Sequence, residues 1–286
     1  MKKLATGLIL TVALLMGGKA EAQSKGKIQS SVPIAKEFKT YTLHDKVCFV
    51  LYNVIQDFPE FDTCGARESY SIVWPAEGMM TDDAKSELLS HYFYTETPST
   101  DIKQAARNWR EMVQNQYDGQ LVDSVDENYP SSFSEMNSIC RQDGKIATFI
   151  IDYYNYELGA AHGMYATEYV TVDVERGEIV HLSDLLDTAN LGKVVARAIQ
   201  DLNVNSEVQS NLFDEYRDVD EMPLSLNFFI DSTHSTINVV YDLYHIAPYC
   251  YGLQTVVLPV SWLSKQISLT PYAKRLFGPD SYLKKK

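Results

Sequence analysis

The sequence lacks the linear motifs of the common catalytic and metal-binding sites. Its four cysteines have no Cys-x-x-Cys spacing, so neither a zinc knuckle nor a thioredoxin-like redox site is supported. It contains no Gly-x-Ser-x-Gly elbow, no His-x-x-x-His pair and no Asp-x-Asp-x-Asp-Gly loop, which mark serine hydrolases, zinc enzymes and EF-hands respectively. These absences favour a protein that is not an enzyme, and they predict neither a metal nor a cofactor.

Positive charge is also scarce. Lysine and arginine together number 25 against 38 aspartates and glutamates, which gives a net charge of −13. Residues 1–22 contain three lysines and one glutamate, so the rest of the chain carries −15. Such a surface repels nucleic acid and anionic lipid, and it attracts a cationic partner over a Debye length of about 8 Å at physiological salt. The alternative is that the acidity only keeps the protein soluble.

Long apolar runs are absent except for one near the first residue. Lys2 and Lys3 precede an apolar run of 13 residues over 4–16, and Ala20-Glu21-Ala22 follows it. This order is typical of a cleaved signal peptide, and the run is shorter than the roughly 20 residues that a membrane span needs. We therefore predict a signal peptide over 1–22, export to the periplasm or cell envelope, and no transmembrane span after cleavage. A signal that stays uncleaved is the alternative.

Export would place the cysteines in an oxidising compartment, where disulfides form. The candidates are Cys48, Cys64, Cys140 and Cys250, and four cysteines allow three pairings. We favour Cys48 with Cys64 because they are close in sequence.

Apolar periodicity predicts a chain of short strands with a few helices. Residues 101–117 repeat apolar side chains every three or four positions, which predicts an amphipathic helix. Asp143-Gly144 and Arg176-Gly177 separate alternating segments and predict hairpin turns. Strands are predicted over 41–54, 70–74, 224–230, 237–243 and 255–260, and further helices over 191–202 and 261–267.

Strand runs with helices segregated between them indicate an α+β fold, with an antiparallel sheet built from hairpins. We predict a flexible leader over 23–36 and two closely packed α+β subdomains over 37–149 and 150–268, followed by a C-terminal tail over 269–286. The aromatic share of 12% indicates a real core and argues against disorder.

Several motifs of the second subdomain occur in a characteristic order. They are Tyr153-Tyr154-Asn155-Tyr156-Glu157-Leu158-Gly159-Ala160-Ala161-His162-Gly163, Val172-Asp173, Gly177, Ser183-Asp184-Leu185-Leu186 and Ile246-Ala247-Pro248-Tyr249, with Gly252 and Pro259. In this order the segment resembles the RsiV-like extracytoplasmic domain of unknown function, which is shared by RsiV-type anti-sigma factors and PdaC-type peptidoglycan deacetylases. Residues 37–149 resemble the domain that usually precedes it.

The resemblance implies an α+β fold and a location outside the cytoplasm, and RsiV-type members recognise lysozyme. It does not imply deacetylase activity, because no deacetylase domain accompanies the motifs. The chain departs from the family pattern at Ala160, where a second glycine is expected, and at Cys250, where a small residue usually follows Pro-Tyr. The second departure would allow a local disulfide.

Two segments carry the candidate binding residues. A glycine-bracketed connection around His162 supplies the first, because glycines allow close backbone approach, and a tyrosine-rich loop with Pro and Gly supplies the second. The candidates are Tyr156, Gly159, His162, Gly163, Tyr244, Pro248, Tyr249 and Tyr251.

A catalytic role is conceivable for one pair. His162 could act as a base with Asp173 as its orienting partner, and Asp152 or His181 are further neighbours on the predicted sheet. The alternative is that His162 hydrogen-bonds nearby backbone and fixes the connection.

The sequence leads to three functional hypotheses. The first is a non-enzymatic cell-envelope binding module that recognises a cationic protein such as lysozyme, or a cell-wall glycan such as a peptidoglycan fragment. The second is a cell-wall hydrolase that uses His162, and the third is a structural component of an envelope assembly.

Overall fold

The computed structural model describes residues 36–43, 47–58, 66–75, 77–94, 98–118, 133–143, 146–157, 160–202 and 206–278. Over these residues the chain forms a mixture of helices and strands, which confirms the α+β prediction. No helix in the described ranges combines the length and apolar character needed to cross a membrane.

The strands are β1 (Lys36–Leu43), β2 (Val47–Phe58), β3 (Ala66–Pro75), β4 (Phe133–Asp143), β5 (Ile146–Tyr156), β6 (Met164–Asp173), β7 (Glu178–Ile179), β8 (Phe228–Asp231), β9 (Thr236–Tyr241) and β10 (Gln254–Pro259). The α-helices are α1 (Asp82–Phe93), α2 (Ile102–Asp118), α3 (Leu182–Leu185), α4 (Leu191–Asp201), α5 (Ser206–Asn211), α6 (Val260–Gln266) and α7 (Pro271–Phe277).

The strands form two sheets. The first has the order β1-β2-β3-β4-β5-β6-β7, and the second has the order β10-β9-β8. The pairs β1/β2, β2/β3, β6/β7, β8/β9 and β9/β10 are antiparallel, but β3 and β4 are parallel. The predicted antiparallel sheet built from hairpins therefore contains one parallel pair. Helices α1 and α2 lie between these two strands in sequence and form the long connection that parallel pairing requires.

The chain divides into two compact units that interleave in sequence. The first comprises the described residues within Met1–Ala76, Lys85–Asn137 and Asp152–Tyr165. The second comprises those within Glu77–Ala84, Ser138–Ile151 and Ala166–Lys286. The long strands β4 and β5 contribute residues to both units.

The core of the first unit is aromatic. The Tyr70 and Trp109 rings meet edge to face with centroids 4.5 Å apart, and Phe93 lies 5.9 Å from each of them. The buried Tyr92 hydroxyl donates to the Val73 carbonyl at 2.8 Å, so the phenol is satisfied where it is removed from water. Ile102, Ala105, Ala106 and Trp109 on α2 form the buried stripe predicted from their spacing, but Met112, the next apolar residue of that stripe, is 39% exposed.

The core of the second unit lies on one face of the three-stranded sheet. Ile237, Val239 and Tyr241 alternate along β9 and are fully buried. Helix α4 covers this face with the stripe that its apolar spacing predicts, and such burial contributes about 1.5–3 kcal/mol for each large apolar side chain. The other face of β9 is buried as well. There Tyr169 of β6 packs on Phe229 of β8 with ring centroids 4.7 Å apart.

Three predicted elements differ from those observed. The single strand predicted over 41–54 is two antiparallel strands, β1 and β2. The strand predicted over 224–230 begins only at Phe228, and Leu224 and Leu226 before it are exposed to solvent. The predicted tail contains helix α7, whose Ala273 and Leu276 are buried in the core. The predicted leader over 23–36 lies outside the described residues, apart from Lys36.

Candidate functional site

Asn227 links β6 to the three-stranded sheet. Its side-chain amide donates to the Thr167 carbonyl at 2.7 Å, and its side-chain oxygen accepts from the Tyr169 N–H at 3.0 Å. These residues lie before the short stretch where β7 pairs with β6, so the Asn227 side chain bonds a part of β6 that β7 does not reach. The Asn227 carbonyl accepts from the Val240 N–H at 2.8 Å, which fixes β6 against the end of β9.

The segment before β8 runs beside the end of β9. The buried Ser225 hydroxyl donates to the Val240 carbonyl at 2.5 Å, and the Tyr241 hydroxyl donates to the Pro223 carbonyl at 2.9 Å. Anchored in this way, Leu224 and Leu226 on either side of Ser225 are 52% and 61% exposed.

The loop that follows β9 carries the tyrosines. Tyr244 has a φ of +62°, a conformation that is uncommon for a side chain of this size. Its ring lies 5.7 Å from that of Tyr249, and Tyr244 and Tyr251 are each about half exposed. Pro248 precedes the 3-10 turn Tyr249–Tyr251, and Gly252 follows it with a φ of +70°.

A set of hydrogen bonds, including those of the buried Gln254 side chain, holds this loop in shape. The Gln254 side-chain amide donates to the Tyr251 carbonyl at 2.8 Å and to the Gly252 carbonyl at 3.2 Å. The Ile246 carbonyl accepts from the Phe213 N–H at 3.0 Å, and the Asp242 carbonyl accepts from the His245 N–H at 3.1 Å. The exposed tyrosines therefore project from a supported loop, as binding residues on rigid scaffolds do.

A carboxylate lies at the start of the same loop. Asp242 is exposed at the surface. Loss of water around its carboxyl group and then the nearby charge of Glu168 nevertheless raise its pKa to about 6. Glu168 lies on β6 between Thr167 and Tyr169. The two hydrogen bonds from the Asn227 side chain, called the clamp below, therefore hold the backbone on both sides of Glu168. Burial also lowers the pKa of His245, whose ring meets that of Tyr241 at 5.2 Å. The imidazole is therefore neutral at pH 7 and gives Asp242 no counter-charge there.

The pKa of Asp242 should lie well above that of an ordinary aspartate. We expect its carboxyl carbon to show a midpoint near pH 6 by NMR, against an ordinary value of 3.8. Because the folded-state pKa is raised, ionised Asp242 opposes folding, and this cost is absent at low pH and fully present above the raised pKa. Asp242→Asn should therefore stabilise the protein at pH 7 but not at pH 3.

Glu168→Gln tests the second cause of this shift. Removing the neighbouring charge should lower the pKa of Asp242 while leaving it above the ordinary value, since burial remains the larger cause. An unchanged midpoint in this variant would show that Glu168 does not act on Asp242.

The connection between β5 and β6 holds the other candidate residues. His162 is exposed, and its Nδ1 lies 3.0 Å from the Gly163 carbonyl oxygen, which agrees with a role in fixing the connection. Gly163 is buried, and a Cβ there would meet the Tyr154 ring and lie 2.6 Å from the Asn155 carbonyl oxygen. Any side chain at position 163 would therefore clash with backbone. Tyr156 is half-buried at the end of β5, and Gly159 lies outside the described residues.

Asp173 is buried at the end of β6 and 2% exposed. Its Oδ1 accepts from the N–H groups of Glu175 and Arg176 at 3.0 and 3.3 Å, and its Oδ2 accepts from the Tyr272 hydroxyl at 2.9 Å. The carboxylate thus holds the predicted hairpin turn, in which Gly177 has a φ of +67°.

The other two ionisable candidates, Asp152 and His181, are exposed. Asp152 is exposed on β5 of the first unit. The exposed His181 precedes α3, and its N–H donates to the Asp184 carboxylate at 2.9 Å. Within the described ranges, no group of three or more His, Cys, Asp or Glu side chains could hold a metal ion.

The described cysteine side chains are not in disulfides. Cys140 on β4 and Cys250 in the tyrosine loop are both free, so the suggested local bond at Cys250 and any pairing of Cys140 are not present. Cys250 lies in an exposed turn, whereas Cys140 lies on a strand of the first sheet. The side chains of Cys48 and Cys64 lie outside the described part of the chain.

The two free thiols should differ in reactivity. Burial raises the pKa of Cys140 to about 12, so little thiolate forms at neutral pH, whereas Cys250 is exposed. We expect iodoacetamide at pH 8 to alkylate Cys250 much faster than Cys140, as measured by peptide mass spectrometry over time. In guanidinium chloride the difference should disappear, and equal rates in the native protein would contradict the burial of Cys140.

Sequence reasoning missed part of this site. The bonds from Asn227 to Tyr169 and Thr167 span 58 and 60 residues of chain. Glu168 and Asp242, whose charges interact, are also far apart in sequence, and no local motif marks any of these residues. Leu224 and Leu226 are visible as an alternating apolar pair, but alternation alone does not tell which face is solvated.

Comparison with known proteins places the fold. No family model matches the sequence, and no curated protein does either. A crystal structure of a DUF3298 family member from Bacteroides fragilis is similar to the chain with a TM-score of 0.63 and 15% identity, covering 84% of this chain and 98% of that one. A DUF3298 family protein from Pseudomonas aeruginosa has a TM-score of 0.48 and 17% identity, covering 80% of this chain and 97% of that one. At this identity the first similarity shows the fold alone.

Proposed function

We propose that this chain is a non-enzymatic binding module of the cell envelope. In this proposal it is exported, it is related to the RsiV-like extracytoplasmic domains, and its ligand is a cationic protein such as lysozyme or a cell-wall glycan. The binding surface is the end of the second unit that carries Tyr244 and Tyr251.

The supporting observation is the exposure of large apolar side chains on a supported loop. Across the described residues seven large apolar side chains are exposed, and four of them, Leu224, Leu226, Tyr244 and Tyr251, lie in the two segments that meet at the end of β9. Exposed apolar side chains that cluster in this way mark binding surfaces, and tyrosine is enriched among the residues that dominate binding energy.

The acidity of the chain favours a cationic ligand. The net charge is −13 over the whole sequence, and Asp242 and Glu168 place two carboxylates near the tyrosine loop. Charge of this sign would speed association with a basic protein, whereas short-range contacts would determine how long the complex lasts.

Calorimetry with lysozyme tests the proposal at low and at physiological salt. Micromolar or tighter affinity that survives physiological salt is the expected result, and micromolar affinity corresponds to about −8 kcal/mol. Affinity that vanishes on adding salt would indicate only attraction between an acidic and a basic protein. Peptidoglycan fragments are titrated as the second ligand in the same calorimetric experiment. Absence of binding to both ligands would overturn the proposal.

Two alanine variants locate the binding surface. Tyr251→Ala should weaken binding by about tenfold or more, since truncation of a tyrosine anchor costs at least about 1–2 kcal/mol. The matched control is Tyr94→Ala, which removes a tyrosine of similar exposure (40%) from the first unit. Equal affinities of these two variants would place the binding surface elsewhere.

A further inference from the structure

Tyr244 occupies a position in a tight turn that does not favour tyrosine. The His245 N–H donates to the Asp242 carbonyl at 3.1 Å, so residues 242–245 form a hydrogen-bonded β-turn with Tyr244 at its third position. A φ of +62° at that position is a conformation for which glycine or asparagine is usual. Tyr244 is also 49% exposed, so burial of its ring does little to offset the strained backbone. These observations indicate that the tyrosine serves a ligand more than it serves the fold.

The ring of Tyr244 lies beside a second phenol. The centroid of the Tyr249 ring is 5.7 Å away, at an interplanar angle of 33°, and Tyr249 begins the 3-10 turn that ends at the half-exposed Tyr251. The buried Gln254 side-chain amide donates to the Tyr251 carbonyl at 2.8 Å. Three tyrosines thus lie on two hydrogen-bonded turns of one loop, and a ligand would meet them already in place, which lowers the cost of binding.

The exposed side chains of this loop favour one class of ligand. Over residues 242–252, all of which the structure describes, the large aliphatic side chains Leu243 and Ile246 are buried. The exposed tyrosines instead present aromatic faces and hydroxyl groups, and the exposed Asp242 presents hydrogen-bond acceptors. A sugar ring has the matching chemistry, because its C–H face packs on an aromatic face while its hydroxyl groups bond to phenols and carboxylates.

We infer that the ligand of the proposed binding module is a carbohydrate whose sugar ring stacks on the exposed face of Tyr244, with Tyr249 and Tyr251 beside it. The inference rests on the proposed function and chooses the glycan over the cationic protein. The net charge of −13 does not decide between these ligands, because acidity of this size also keeps a protein soluble without contacting any ligand.

Titration with a trimer of N-acetylglucosamine, followed by NMR of the tyrosine ring signals, tests the inference. Saturable shifts are expected for Tyr244 and Tyr251. Tyr244→Leu removes the aromatic face but keeps an apolar side chain, and it should weaken binding about tenfold or more. Tyr244→Phe keeps the face and should bind within about threefold of the native protein, since only one exposed hydroxyl is lost. The matched control is Tyr94→Leu, which replaces a 40% exposed tyrosine that also has a positive φ, of +46°, and it should bind the sugar unchanged.

The outcomes separate this inference from the proposed function. Binding of lysozyme without any shift caused by the sugar would overturn the inference while leaving the binding module intact, whereas loss of both would overturn the proposed function as well. Equal sugar affinities of Tyr244→Leu and Tyr94→Leu would show that the sugar does not stack on Tyr244. Tyr244→Gly suits the positive φ, so it should lose sugar binding without lowering the urea midpoint of unfolding. A clear fall in that midpoint would show that the ring serves the fold and would contradict its assignment to a ligand.

Discussion

Replacing Asp173 by alanine should lower the free energy of unfolding by about 2–4 kcal/mol, because the change leaves three donors without their acceptor at a buried position. The N–H groups of Glu175 and Arg176 lose the oxygen that shapes their turn, and the Tyr272 hydroxyl loses a bond that joins α7 to β6. The Arg176 guanidinium lies 5.2 Å from the centre of the Tyr272 ring, so loosening the turn also loosens this contact. Urea denaturation followed by circular dichroism measures the loss.

Asp173→Asn separates hydrogen bonding from charge. The asparagine oxygen can still accept from the turn, and its amide can donate to the Tyr272 hydroxyl, so we expect less than half of the loss seen for alanine. The control Asp218→Ala removes an exposed carboxylate and should change stability by no more than about 0.5 kcal/mol. If Asp173→Ala were as stable as this control, the observed hydrogen bonds would not hold the turn.

The hydrogen bonds of the Asp173 carboxylate argue against its part in the hydrolase hypothesis. Asp173 as an orienting partner would have to share its oxygens with His162, but both oxygens already accept hydrogen bonds from the turn and from Tyr272. The role of His162 as a catalytic base can be tested separately. His162→Ala should fold, since its ring is exposed, and unchanged turnover of muropeptides by this variant would remove it as a catalytic base.

The sequence predicted the elements whose signal is local. Helices α2 and α4 follow from apolar spacing, and the turn at Gly177 follows from its residue type and is confirmed by its positive φ. Helix α1 could have been predicted in the same way, because Ala84, Leu88 and Tyr92 recur every four residues and are all buried. Thr81 before it accepts from the Ala84 N–H at 3.3 Å, as a helix N-cap does.

The candidate site could be predicted only where it is continuous in sequence. The tyrosine loop is one segment, and its Pro and Gly residues indicate a turn. The acidic and leucine part depends on contacts between residues far apart in the chain, and patterns of period two or 3.6 carry no information about such contacts. The parallel pairing of β3 with β4 was missed for the same reason, since the 57 residues 76–132 separate the two strands in sequence.

Asn227→Ala should be the second strongly destabilising change, with a loss of about 2–4 kcal/mol. It leaves the Thr167 carbonyl and the Tyr169 N–H without their partner, and each unsatisfied group costs about 1–3 kcal/mol where water cannot replace the bond. Thr167 is buried, which limits that replacement. The control Asn190→Ala removes an exposed asparagine whose side chain makes no capping bond, and it should be close to neutral.

Asn227→Asp tests the direction of the two bonds. A carboxylate can still accept from the Tyr169 N–H, but its second oxygen would face the Thr167 carbonyl oxygen, and two acceptors repel each other. We therefore expect aspartate to be no better than alanine despite its matching shape. Stability close to that of the native protein would mean that the Thr167 bond contributes little.

The clamp also links stability to the candidate site. Asn227 holds the residues on both sides of Glu168, so loss of the clamp should free Glu168 to move away from Asp242. In folded Asn227→Ala the NMR midpoint of Asp242 should fall toward its ordinary value, while Asn190→Ala leaves it near pH 6. A destabilised variant with an unchanged midpoint would show that β6 keeps Glu168 in place without Asn227, and the clamp would then act on folding alone.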